Sequence, residues 1–183
     1  MKINQDVEKV LISEEEIEKR CVELAEQIQQ DYENEGTVPI IVGLLRGSVP
    51  FMAELIKRFT FPCEIDFMSV SSYDGTESIG DVRIDKDMDL SSKGRDILLV
   101  EDIVDTGRTL KEVKKMFERK GSPRVRIVAL LDKPSRRLVD IQADYVGFTV
   151  PNEFVVGYGL DYNQKYRNLP FIGVLKPEIY ENN

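Results

Sequence analysis

The 183-residue sequence contains no histidine. That absence excludes His-based nucleophilic triads, histidine general bases and histidine metal ligands, so acid–base work falls to carboxylates, Lys or Tyr. A metal, if one is used, is expected to be a hard cation held by oxygen, with Mg²⁺ favoured. Only two cysteines are present, Cys21 and Cys63, and they form no CxxC. Each sits among apolar positions and is read as a buried free thiol. No run approaches the ~20 apolar residues that a bilayer requires. The N-terminal stretch "MKINQDVEKVLISEEE" lacks the apolar core of a secretory signal, so the cytoplasm is the expected compartment and no membrane partner is expected. No internal repeat, low-complexity segment or linker stands out. There is no excess of positive charge either: 25 Lys and Arg against 33 Asp and Glu leave a net charge of −8. A global nucleic-acid footprint is therefore not expected.

What is present fits a globular protein, with 42% apolar and 32% charged residues. The length suggests one domain spanning residues 1–183, with enough chain to bury a substantial core. Ser13 and Glu16 form a capping-box pattern, and behind them Ile17, Cys21, Leu24, Ala25 and Ile28 recur at helical spacing, which predicts a helix from about Glu14 to Tyr32. "PIIVGLL" reads as a buried strand, and "VPFMAELIKRF" resumes a helical period with Pro50 in its first turn. "CEIDFMSV" is a strand candidate and "VRID" a short one. Between them the polar stretch 71–81, "SSYDGTESIGD", reads as a loop whose 11 residues exceed a usual connection and invite a functional reading. A strand over 96–101 leads to a helix after Gly107 that carries Leu110, Val113, Met116 and Phe117 on one face and stops at Gly121. "RVRIVALL", "DYVGF" and "FVVGY" are further strands. The alternation of strand and helix predicts an α/β fold with a parallel, doubly wound sheet. Ligands of such sheets bind beyond the carboxyl ends of the strands, where loops 45–48, 101–109 and 132–137 should gather.

The stretch "ILLVEDIVDTGRTL", residues 97–110, combines a buried strand with a small-residue turn and a helix start, the layout of an anion cradle. Backbone amides of residues 105–109 and the hydroxyls of Thr106 and Thr109 suit a phosphate, while Gly107 permits close approach. The three carboxylates in the stretch then need another task. Glu101 and Asp102 suit two sugar hydroxyls or a hydrated Mg²⁺, and Asp105 could take a proton from a reacting base. The loop has no Gly-Lys-Ser/Thr ending, so it fits a phosphorylated sugar rather than a nucleoside triphosphate. Taken alone, Asp105 and Thr106 are equally ordinary helix N-cap residues.

The same stretch resembles the phosphoribosyl-pyrophosphate motif of type I phosphoribosyltransferases. With "VGLLRGS", "SSYDGT", "LLDKPSRR" and "VPNEFVVGYGLDYNQKYRNLP", the chain is similar over about residues 10–180 to hypoxanthine-guanine phosphoribosyltransferases of bacterial type. The resemblance implies the type I fold: a central, mostly parallel twisted sheet flanked by helices, a small hood built mainly from residues 150–183, and a flexible loop at about 71–81 over the site. It implies transfer of the phosphoribosyl group from phosphoribosyl pyrophosphate to hypoxanthine or guanine, giving IMP or GMP and pyrophosphate with Mg²⁺, in a homo-dimer or homo-tetramer.

Residue by residue, the resemblance assigns the ribose hydroxyls and metal to Glu101 and Asp102, and the 5′-phosphate to Asp105, Thr106, Gly107, Arg108 and Thr109. Asp105 is also the expected general base at purine N7. Pyrophosphate falls to the backbone of Arg46 and Gly47, where the family has a cis peptide, and to Arg167. The purine falls to Phe154 by stacking, to the Val155 main chain, and to Lys133 at the 6-oxo group. Asp161 would bind Mg²⁺, and Ser72 and Tyr73 would shield the reacting centre from a lid. Without the family, Phe154 reads as core, Lys133 and Arg167 as solvated charges, and Asp161 as a turn residue. A regulator that senses phosphoribosyl pyrophosphate, with RNA or DNA as its partner, is compatible with the same fold and is the alternative function. A phosphotransferase with Asp105 as nucleophile is disfavoured, because the acid pair precedes the turn.

Overall fold

The computed structural model describes residues 5–72 and 82–181. Its centre is a six-stranded sheet of strand order β4-β3-β2-β5-β6-β7, formed by β2 (Ile40–Leu44), β3 (Glu64–Ser72), β4 (Val82–Lys86), β5 (Ile97–Val104), β6 (Val125–Asp132) and β7 (Tyr145–Thr149). All neighbours are parallel except β4, which lies antiparallel on β3 at the edge. The apolar runs of β2, β5 and β6 have no polar face because both faces are covered. Along them, side chains alternate between two cores. Ile41, Leu98, Val100, Val128 and Leu130 meet helices α1 (Glu14–Glu35) and α2 (Val49–Ile56). Ile40, Val42, Ile97, Leu99 and Ile127 meet Leu110, Val113 and Phe117 of α3 (Arg108–Arg119).

Local chemistry sets the helix limits. The Ser13 hydroxyl and Glu16 carboxylate cap α1 reciprocally, and Gly36 ends it at φ 65° with its N–H donating to the Glu33 and Tyr32 carbonyls. Pro50 lies in the first turn of α2. Helix α2 stops at Ile56, short of the apolar period that runs on to Phe59.

A second, antiparallel sheet of order β1-β9-β8 stands at one end of the molecule, made of β1 (Val7–Ile12), β8 (Val155–Val156) and β9 (Ile172–Leu175). Two of its strands come from the C-terminal segment expected to form a hood, and the third comes from the N-terminal end. Val156, Tyr166, Leu169 and Leu175 form its own small core, and the four-residue α4 (Pro177–Tyr180) follows β9.

The strand boundaries correct the sequence reading at two places that matter. β5 does not end at 101: its pairing with β6 continues from Glu101↔Ala129 to Val104↔Asp132, so the acid pair lies within the strand. β3 extends through Ser71 and Ser72, which pair with Arg83 and Val82, so these two residues belong to a strand rather than to the loop. Tyr73 and the remainder of the expected lid, 73–81, lie outside the described residues.

Asp66 on β3 ties the connection after β4 to the sheet. Its buried carboxylate accepts from the amides of Phe67 (2.7 Å), Asp89 (2.7 Å) and Leu90 (2.8 Å). Burial pushes its pKa up, but these amides, Leu90 foremost, and Lys86 outweigh it and hold it below 3.8. A carboxyl lowered in the folded state adds stability above the unfolded-state pKa and loses it as pH falls through the folded value. Asp66→Ala should therefore cost about 2 kcal/mol at pH 7. The gap to the natural protein should close below about pH 4, as read by urea unfolding at both pH values.

Candidate active site

The loops after β2, β5 and β6 converge at the carboxyl ends of the strands, against the hood. After β2, the Leu45–Arg46 peptide is cis and the buried residues Gly47 and Ser48 follow. Gly47 is confined on two sides: a Cβ there would lie 1.5 Å from Asp102 Oδ2, and its own carbonyl oxygen lies 1.9 Å from where a Cβ on Gly159 would stand. Gly159, at φ 102°, belongs to the hood. Three segments therefore meet through two residues without side chains. Ser48 precedes α2 without capping it, and its buried hydroxyl has no partner among the described residues.

Asp102 is squeezed by this contact. Burial pushes its carboxyl up to about 6; the Ile103 amide, which donates to Oδ1 at 2.7 Å, and the Arg167 guanidinium pull it down, while Asp161 adds to the rise. Burial, with Asp102 as neighbour, raises the Glu101 carboxyl well above its ordinary value. Two adjacent desolvated carboxylates are a natural seat for a divalent cation, whose charge reverses both effects. Among the described residues no three acidic, Cys or His side chains converge. The donor set therefore fits Mg²⁺ held by one or two carboxylates, with substrate and water oxygens completing the shell, rather than an all-protein cage.

Beyond β5 the chain turns through Asp105 and Thr106 to Gly107, at φ 80°, and enters α3. A Cβ on Gly107 would lie 2.3 Å from Ile141 Cγ2 and 3.1 Å from Arg137 Cδ, so the turn rests on the segment after β6, and the Leu138 amide also donates to Thr106 O at 3.0 Å. The first intrahelical bond runs from Lys111 N to Gly107 O. The amides that precede it have no intrahelical acceptor. They border a cavity of about 120 Å³ lined by Glu101, Asp105, Thr106, Gly107 and Thr109. Arg108 is exposed and its amide makes a long, 3.5 Å contact to Thr106 Oγ1.

A larger cavity, about 430 Å³, opens beside it between Asp105, Lys133, Arg136, Phe154, Val155 and Asp161. Lys133 is 8% exposed, and its ammonium donates to the Glu153 carbonyl at 2.9 Å. Burial lowers its pKa; Asp105 raises it and Arg136 lowers it further. Phe154 is stacked on Tyr180 at 4.8 Å and meets Tyr162 edge-on at 5.6 Å. The Leu175 amide donates to Phe154 O, so Phe154–Leu175 is a hydrogen-bonded pair of the ladder and Val155–Val174 is not. The alternation then turns the Val155 N–H and C=O away from β9, at the edge of the sheet.

On the far side, Asp161 Oδ1 accepts from Arg167 Nη2 at 2.8 Å, and Arg167 Nη1 donates to Gly159 O at 2.7 Å. Glu101, Asp105, Thr106, Gly107 and Thr109 thus line the smaller cavity and Asp105, Lys133, Phe154, Val155 and Asp161 the larger one, while Gly47 meets Asp102, and Arg167 is tied to Asp161 directly and to Arg46 through Gln164. Tyr73 lies outside the described residues. Sequence reasoning missed Arg136, whose Nε donates to Asp105 Oδ1 at 3.1 Å, Tyr180, which covers Phe154, and Gln164, which bonds both Arg46 and Arg167. The doubled arginine of "SRR" was the only available signal for Arg136; Tyr180 and Gln164 sit in polar stretches with none.

Residues 11–163 match the family described as phosphoribosyl transferase domain. Over 97% of its length the chain is 58% identical to a hypoxanthine-guanine phosphoribosyltransferase of Lactococcus lactis, covering 96% of that protein. It is 54% identical to the Bacillus subtilis protein of the same name, over 98% of this chain and 99% of that one. A crystal structure of a hypoxanthine phosphoribosyltransferase from Staphylococcus aureus superposes with a TM-score of 0.92 at 50% identity, covering 97% of this chain and 96% of that chain. The cradle after β5, the carboxylate pair and the hood therefore sit in a known scaffold, and the chain belongs to the phosphoribosyl transferase family, in its hypoxanthine-guanine phosphoribosyltransferase branch.

Proposed function

We propose that the chain transfers the 5-phosphoribosyl group from phosphoribosyl pyrophosphate to hypoxanthine or guanine, giving IMP or GMP and pyrophosphate in purine salvage. The observation that carries this reading is the buried Lys133 ammonium facing the same cavity as Asp105 and the free edge at Val155. A 6-oxopurine offers an acceptor for the ammonium, a ring nitrogen whose proton the carboxylate can take, and an edge for the main chain. Phe154, stacked on Tyr180 at the wall of this cavity, offers an aromatic surface for the base.

The 5′-phosphate belongs in the smaller cavity, on the amides ahead of α3 and the hydroxyls of Thr106 and Thr109. Glu101 and Asp102 then lie toward the ribose hydroxyls, with the backbone of Arg46 and Gly47 and the Arg167 guanidinium toward pyrophosphate. As the bond from C1′ to pyrophosphate breaks, C1′ becomes oxocarbenium-like and the nearby carboxylates stabilise its charge. The purine N9 lone pair forms the new bond to C1′, and the N7 proton passes to Asp105. Arg136 donates to Oδ1 of Asp105, which orients the carboxylate and leaves its other oxygen for the base. Mg²⁺, held by Glu101, Asp102 or Asp161, would neutralise the leaving pyrophosphate.

Asp105→Asn should keep the fold and both substrates' binding while lowering kcat about 10²–10⁴-fold, because the amide retains the shape but accepts no proton. Single-turnover kinetics check this, and an unchanged kcat removes the base assignment. Replacing Glu101 and Asp102 by Gln and Asn should weaken phosphoribosyl pyrophosphate more than purine in calorimetry; a change in purine affinity alone would place the pair elsewhere. Adenine, which presents an amino donor where a 6-oxopurine has an acceptor, should be a very poor substrate, since the Lys133 ammonium, already bonded to the Glu153 carbonyl, would turn its remaining protons toward a group that cannot accept them. Lys133→Met should lower kcat/KM for hypoxanthine and guanine and narrow the gap to adenine. Efficient adenine use by the natural protein, or an unchanged preference in Lys133→Met, would put specificity elsewhere.

A further inference from the structure

One side chain in the hood holds two cations together and has no role in the scheme above. Residues 162–165 form a two-residue turn. Tyr162 N donates to Lys165 O at 3.2 Å and Lys165 N to Tyr162 O at 3.0 Å. The central residues Asn163 and Gln164 have φ of 50° and 63°. Positive φ at both central positions is the type I′ pattern, which favours glycine at the second. Asn enters the left-handed region readily through its short polar side chain, but Gln has no such help. A non-glycine residue kept in that region beside a site is an observation from which a functional constraint can be argued.

The side chain supplies the constraint. Gln164 Oε1 accepts from Arg46 Nη1 at 2.9 Å and from Arg167 Nη2 at 3.1 Å, while its backbone N–H donates to Asp161 Oδ2 at 2.8 Å. Arg46 stands on the loop after β2 and Arg167 in the hood, 118 and 3 residues away from Gln164. Two guanidiniums repel each other unless an acceptor stands between them. A carboxylate there would hold them and cancel charge. An amide oxygen holds them and adds no second negative charge to the one that Asp161 already sets against Arg167. Each arginine also carries a long side chain whose freedom must otherwise be lost when a ligand binds.

We propose that Gln164 is a positioning residue for pyrophosphate: its neutral amide oxygen brings the Arg46 side chain to Arg167 and keeps a two-cation cradle ready, into which a pyrophosphate oxygen is received. The inference rests on the reading of Arg167 and the loop 45–48 as the pyrophosphate side of the site. It adds the Arg46 side chain to that site, where the family resemblance implied only its backbone.

The test uses Gln164→Gly, Gln164→Glu and Arg167→Gln in the full chain. Calorimetry with magnesium pyrophosphate and, separately, with GMP is combined with thermal unfolding. Glycine suits the turn, so Gln164→Gly should unfold at the same temperature or higher. It should nevertheless bind pyrophosphate about 3–10-fold more weakly, the worth of one or two ordinary hydrogen bonds, with GMP affinity within about twofold. Gln164→Glu should weaken pyrophosphate by about tenfold or more, because a carboxylate stays bound to both arginines and competes with the ligand. Natural pyrophosphate affinity in Gln164→Gly, with Arg167→Gln weakened, overturns the role of Gln164 alone. Equal losses for pyrophosphate and GMP with a lower unfolding temperature overturn it in favour of a purely structural turn. Natural affinity in Arg167→Gln overturns the pyrophosphate reading of the site, and this inference with it.

Discussion

Gly47 has room for a hydrogen and nothing larger, and the arrangement of the site follows from that contact. On one side stands the Asp102 carboxylate, on the other the backbone of Gly159. A side chain at 47 would press on the Asp102 carboxylate and one at 159 on the Gly47 carbonyl, so the first would force the loop off β5 and the second off the hood. Asp102 lies in that contact, and burial there raises its carboxyl to about 6. Packing and electrostatics are thus one fact at this point: the residue that lets three segments meet also desolvates the charge between them.

The sheet supplies the rigidity this contact needs. Side chains of β2, β5 and β6 alternate between two buried cores, so neither face can slip without exposing apolar surface. The loops leave the strands at one end, and their chemistry is sorted by which strand they follow. The loop after β5 leads to the amides and hydroxyls of the smaller cavity, the turn after β6 supplies Lys133 and Arg136 to the larger one, and the loop after β2 brings the backbone of Gly47 against Asp102. The hood adds the ring of Phe154 and the Asp161–Arg167 pair from across the cavity. Opposite charges are interleaved, with Asp105 beside Arg136 and near Lys133, and Asp161 beside Arg167. Each group is held in place by a partner while it still faces the cavity.

Much of this was legible because it is written in neighbouring residues. The capping box at Ser13, the helical period behind it, and the unbroken apolar runs of β2, β5 and β6 depend on spacing alone, and each formed where spacing placed it. The motif 97–110 could be read for an anion cradle and a carboxylate pair because both are properties of one short segment. β1 was not legible: half of its residues are exposed, and it becomes a strand because β9, more than 150 positions away, offers an edge. The end of β5 was misplaced for a related reason. Charged residues at 101 and 102 look like the start of a loop, yet the pairing partner in β6 continues to Asp132 and carries the strand with it.

What the sequence by itself determined is therefore the sheet's two-sided core, the helices on it, and the residue types that the reacting groups require. Tertiary structure alone decided that Gly47 would lie between Asp102 and Gly159, that Arg136 would orient Asp105, that Tyr180 would cover Phe154, and that one oxygen of Gln164 would join Arg46 to Arg167. The physical reason is range. Periodicity and capping act over a few residues along the chain, whereas these contacts join segments that become neighbours only when the hood closes on the end of the sheet.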